Sequence, residues 1–135
     1  MRAEISSVDG FGQLSLERIG GTLRVELRGP GLVANVDVDM RAEPALGSEP
    51  WSELEAFFRG LAKDWMDRKN QVFYVTPDEA FGLWYDWDVA GHFHLHVRLR
   101  EDRHASWSVT SKVELELGAL DALARRVSML VAANP

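Results

Sequence analysis

The sequence predicts an α+β fold, an antiparallel, meandering β-sheet of about six to seven strands with two amphipathic helices packed on one face. Three observations carry this. Apolar residues recur with period two through most of the chain, in short runs divided by glycine, proline or acidic turns, as half-buried strands require. Over residues 51–65 and 120–130 the spacing lengthens to three or four, the mark of a helix with one apolar stripe. Most consecutive strand segments are joined by links too short for a parallel crossover, so neighbours pair antiparallel.

In chain order, residues 1–20 read as an opening strand with weak alternation, Leu14 and Leu16 pointing inward, closed by a hairpin turn at Gly20-Gly21. Leu23, Val25 and Leu27 then alternate with Arg24, Glu26 and Arg28. After Gly29-Pro30-Gly31, Ala34, Val36, Val38 and Met40 alternate with Asn35, Asp37 and Asp39. Residues 42–50 are rich in turn formers. The first helix carries Trp51, Leu54, Phe58, Leu61 and Trp65, with Phe57 and Ala62, on its stripe, and Glu53, Glu55, Arg59, Lys63, Asp64 and Asp67 on its solvated side. Two caps suit its start: Ser48 ahead of Pro50, or the capping box Ser52-Glu53-Leu54-Glu55. Residues 71–76 form a short strand stopped by Pro77-Asp78-Glu79, and a further turn lies at Glu101-Asp102-Arg103-His104. A long final strand points Trp107, Val109, Val113, Leu115 and Leu117 inward. After Gly118, Leu120, Leu123, Ala124, Val127 and Leu130 form the stripe of the closing helix.

Residues 81–100 organise the rest. Phe81, Leu83, Tyr85 and Trp87 alternate in one arm and Phe93, Leu95, Val97 and Leu99 in the other. Both rows share a face only if Trp87 lies opposite Phe93, Tyr85 opposite Leu95 and Leu83 opposite Val97. That leaves Val89, Ala90 and Gly91 as the loop, with Gly91 at the position that favours a left-handed backbone. In this register Asp88 faces His92, Asp86 faces His94 and Trp84 faces His96, followed by Arg98 and Arg100. With Asn35, Asp37, Asp39, Thr110 and Lys112 they are expected to line one open polar face.

Composition narrows the function. With 135 residues and a mass of 15.2 kDa the chain is expected to be a single domain spanning residues 1–135. Hydrophobic residues at 46% and charged residues at 27% indicate neither disorder nor a membrane span. The opening MRAEISSVDG lacks an apolar segment, so a cytoplasmic location is expected. Zero cysteines exclude disulfides, thiolate metal ligands and thiol catalysis. A net charge of -6 and a pI near 5.2 oppose nucleic-acid binding and suit a basic protein partner.

Three histidines alternating on one strand invite a metal reading. Residues two apart on a strand are separated by about 6.5–7 Å, so His94 and His96 can share an ion, whereas His92 and His96, about 13 Å apart, cannot. A third ligand must come from elsewhere, Asp86 first and Asp88 second. Against this stands a carboxylate–imidazole ladder that stabilises the hairpin, and the ladder is favoured. No Gly-x-Ser-x-Gly elbow, His-Glu-x-x-His helix or phosphate-cradling loop occurs. Trp84 among polar neighbours has two readings: the anchor of a binding surface, or a core residue under the N-terminal strand or a second subunit, as in a homodimer.

The helix residues Leu54, Phe57, Phe58, Leu61, Ala62, Asp64 and Trp65, the pair Gly91-His92 with Phe93, Leu95, Val97, Leu99 and Arg100, then Trp107 and Val109, and finally Leu115-Glu116-Leu117-Gly118 with Leu120, Leu123 and Ala124 resemble an uncharacterised bacterial family, DUF6228, over roughly residues 50–132. Where that family carries an Arg-Gly-aromatic turn this chain has Met66-Asp67-Arg68, and His94 and His96 fall at variable positions. The resemblance implies a fold and no activity. The expected function is therefore a small cytosolic, non-enzymatic protein-binding module requiring no cofactor, of which an immunity-type antagonist of a basic toxin or nuclease is one form. Its binding residues are expected to be Trp84, Asp86, His94, His96 and Arg98. The alternative is a metal-dependent or small-molecule-binding domain centred on His94, His96 and Asp86.

Overall fold

The computed structural model describes residues 1–41, 49–64, 73–88, 90, 92–102 and 104–133. Among them run the strands β1 (Arg2–Ser6), β2 (Gln13–Ile19), β3 (Thr22–Gly29) and β4 (Leu32–Asp39), helix α1 (Pro50–Asp64), the strands β5 (Phe73–Val75), β6 (Phe81–Trp87), β7 (Phe93–Leu99) and β8 (Val109–Leu115), a 3₁₀ turn (Leu117–Ala119) and helix α2 (Leu120–Ala132). The strands form two antiparallel sheets of four, β1-β2-β3-β4 and β5-β6-β7-β8, rather than one meander of six to seven. The chain leaves β4 for α1 and returns as β5, which among the described residues pairs with β6 alone, so the second sheet starts afresh. The α+β class and antiparallel pairing are as expected.

The opening stretch is itself a hairpin. Ala3 and Ile5 of β1 lie opposite Leu16 and Leu14, and all four are buried. Two inward residues leave β1 little apolar signal. The Gly20-Gly21 turn joins Ile19 to Thr22, with Gly20 at a φ of 61°. Pro30-Gly31 joins Gly29 to Leu32. Proline presets the first turn position, and Gly31 takes the positive φ, 71°, that a type II turn needs at the second.

Helix α1 starts at Pro50; of the two expected caps, Ser48 lies outside the described residues and Ser52 lies within the helix, where Glu49 caps its first turn. The Glu49 carboxylate accepts hydrogen bonds from the backbone N–H of Ser52 at 2.8 Å and of Trp51 at 3.3 Å. Burial works against the charge, but the bonds from Ser52 and Trp51 outweigh it and hold the carboxyl below its ordinary value. The stripe Trp51, Leu54, Phe57, Phe58 and Leu61 is buried; Trp65 and Asp67 lie outside the described residues, as do Val89 and Gly91 of the expected hairpin loop. At β8 the expected inward row is too long. Pairing with β7 ends at Leu99 opposite Val109, so Trp107 has no strand to lie against and is 42% exposed. Leu117 falls in the 3₁₀ turn.

Inward residues of both sheets and both helix stripes join one buried cluster. The helices pack on each other, α2 along β1 and β2, α1 against β5. Phe57 meets Tyr85 edge-on with ring centroids 5.9 Å apart, and the Tyr74 hydroxyl lies 3.9 Å from the Met40 sulfur. From β2, Arg18 lies 4.3 Å over the Trp51 ring and donates to the Val131 carbonyl, tying the first sheet to both helices. The sheets also meet at a seam. Val8 N–H donates to Glu114 O at 2.8 Å, and Glu114 N–H donates to the Ser7 hydroxyl at 3.0 Å, so these groups of β8 are satisfied from the chain after β1.

Candidate functional site

The hairpin of β6 and β7 has the register its alternation predicts: Trp87 opposite Phe93, Tyr85 opposite Leu95 and Leu83 opposite Val97. Burying those residues turns Trp84 and Asp86 of β6 and His94, His96 and Arg98 of β7 onto the outer face, so all five predicted site residues share it. Neighbouring strands extend the rows. Phe73, Trp84, His96 and Lys112 form one; Gly82, Arg98 and Thr110 a second; Asp86, His94 and Glu114 a third. Asn35, Asp37 and Asp39 belong to the first sheet instead, where Arg24 holds Asp37 at 2.9 Å and Arg41 holds Asp39 at 2.6 Å. The single open face the sequence suggests is two separate faces.

The carboxylates and imidazoles pair along diagonals as well as straight across. Asp86 reaches His96, its Oδ2 3.0 Å from Nε2, rather than the directly opposite His94. Diagonal neighbours in a sheet lie within reach of long side chains, and strand twist decides which diagonal closes. Asp88 serves the hairpin end. Its Oδ1 accepts the backbone N–H of Ala90 at 2.9 Å and of His92 at 3.0 Å; its Oδ2 lies 3.0 Å from His92 Nδ1 and 3.7 Å from His94 Nε2. The His92 amide, above all, holds the Asp88 carboxyl below the usual carboxylate range. Because Asp86 is drawn to His96 while Asp88 sits between His92 and His94, no three His, Asp or Glu side chains among the described residues converge to hold a metal ion.

Trp84 lies parallel to the His96 ring, centroids 5.2 Å apart and planes 3° off. It is half-buried, neither core nor fully exposed, and beside it in the row Phe73 is 43% exposed. This aromatic strip, with Lys112 at its β8 end, separates two charges: Asp86, Asp88 and Glu114 towards the hairpin loop and Arg98 on the other side. Arg98 lies against the bare backbone of Gly82, where an added Cβ would sit 3.6 Å from Nη2. Sequence reasoning missed Phe73 and Glu114. Both follow from register once β5 and β8 are aligned on the hairpin, but a strand of three residues carries too little alternation for its outward aromatic to be recognised.

Among the described residues the face offers aromatic contact, carboxylate and cationic ends, and imidazoles held by acceptors. A protein-family model described only as a family of unknown function matches residues 14–134. No curated protein matches the chain significantly.

Proposed function

The chain belongs to that family, DUF6228, so its function is read from its own surfaces, and we propose that it is a small cytosolic, non-enzymatic binding module whose second-sheet face engages another protein. The observation that carries this is Trp84, placed on an outer sheet face and held flat against His96 beside the exposed Phe73. Tryptophan on a preset platform offers large contact area at small entropic cost, the usual character of an interface hot spot. Asp86 and Asp88, both well exposed, receive basic side chains of the partner, which agrees with the net charge of -6. The proton-bearing groups lie on an open face and are engaged with one another, which favours binding over catalysis. Among the described residues no helix is long and apolar enough to cross a membrane. An antagonist that blocks a basic toxin or nuclease is one form of this reading.

The test is Trp84→Ala. The variant is expected to unfold in urea within about 1 kcal/mol of the parent, since the ring packs on the outside, and to lose about 2 kcal/mol or more in binding a partner co-purified with the products of adjacent genes. Undiminished binding would move the interface to the acidic edge of α1 at Glu53. A large loss of stability would make Trp84 a packing residue.

A further inference from the structure

Of the part-buried arginines, Arg18 donates to the Gly20 and Val131 carbonyls and Arg100 to Glu79. Arg98 differs. Its Nε is buried without a hydrogen-bond partner, and among the described residues no carboxylate pairs with it. A guanidinium that has given up water at one N–H and found no acceptor is poised for an anion, because its remaining fork of donors matches a carboxylate in a two-pronged arrangement. Its surroundings specify which anion. Gly82 opposite carries no side chain to cover it, exposed Thr110 is its partner on β8, and Lys112 is the next outward residue on that strand. A nucleic acid or a multiply phosphorylated segment needs several cations in a row, and here Asp86 and Glu114 reverse the sign two rows on. One carboxylate fits.

We propose that Arg98 is the carboxylate-receiving point of this face: the partner protein presents an aspartate or glutamate side chain to its guanidinium while a flanking apolar side chain packs on Trp84 and Phe73. The inference rests on the second-sheet face being the binding surface. It adds to a partner with basic groups near Asp86 and Asp88 one acidic residue at the opposite end.

A displayed library of random linear peptides, selected on the folded parent protein, tests it without a known partner. Enriched peptides are expected to share an acidic residue next to an apolar one and, by fluorescence anisotropy, to lose about tenfold or more in affinity for Arg98→Gln. Arg98→Lys should recover part of that loss and Trp84→Ala should also weaken binding. Exchanging the peptide's acidic residue for its amide leaves the protein untouched and should reproduce the loss, which separates recognition from misfolding of the variant. Peptides that need Trp84 but are indifferent to Arg98 and to their own carboxylate overturn the carboxylate inference and leave the binding face standing. Peptides indifferent to both residues overturn the face and the inference with it, and so does a selection that enriches nothing over the Trp84→Ala protein.

Discussion

Asp88 shows how one side chain shapes the face. It accepts the Ala90 and His92 amides and faces two imidazoles, so its charged form is favoured in the folded protein and its carboxyl is held low. The resulting stability is present above the unfolded value of about 3.9 and is lost as pH falls through the lower folded value. Asparagine keeps the acceptor oxygen and loses the charge. Urea midpoints of the parent and Asp88→Asn should therefore differ at neutral pH and converge as pH falls below about 4; a gap that widens on acidification would contradict the assignment. The histidines yield a second expectation. With Asp86 drawn to His96 and Asp88 to His92 and His94, added zinc should leave the melting temperature unchanged, since only a ligand of the native state raises it. A rise of several degrees that disappears in His94→Ala would reassign the row to a metal. The direct opposition of Asp86 and His94 could be read from register, but the diagonal contact that forms depends on twist and rotamers.

Among the elements, the β6–β7 hairpin was fully legible in its register because two constraints agree: both apolar rows must share a face, and the loop length must close the turn. The start of α1 was not. Glutamate is a poor capping residue by preference, yet Glu49 bends back onto two amide groups while Pro50 supplies the first helical φ. Glu49→Ala should cost about 1 kcal/mol, the usual loss on removing a helix cap. Glu55→Ala, which breaks an exposed pair with Arg59 one turn on, should cost under about 0.5 kcal/mol. Chemical denaturation of the two variants separates them, and the reverse order would return the cap to Ser52 and Glu55.

For the whole molecule the seam at Ser7 matters most. Its hydroxyl accepts the Glu114 N–H where the two sheets meet, and the residue is buried. Ser7→Ala leaves that N–H without its acceptor and should cost about 1–3 kcal/mol, the penalty for an unsatisfied buried donor. Because inward residues of both sheets belong to one cluster, unfolding of the variant should remain a single transition, coincident by tryptophan fluorescence and far-ultraviolet circular dichroism. An unchanged midpoint would mean the seam carries no stability. Two separated transitions would mean the sheets hold together only through it.

What the sequence alone determined is local: strand alternation, both helix stripes, the turns at Gly20 and Gly31 and the register of one hairpin, all of which follow from side-chain period and turn chemistry over fewer than about 20 residues. The same reasoning put Trp84, Asp86, His94, His96 and Arg98 on one surface, since alternate residues of paired strands must share a face. Tertiary structure decided the division into two sheets, the inward turn of Ala3 and Ile5, the exposure of Trp107 and the pairing of Asp86 with His96. Each of these depends on which distant segment arrives to cover an edge or accept a bond. Periodicity in the chain carries no record of that, because a strand's apolar face is the same whichever sheet it joins.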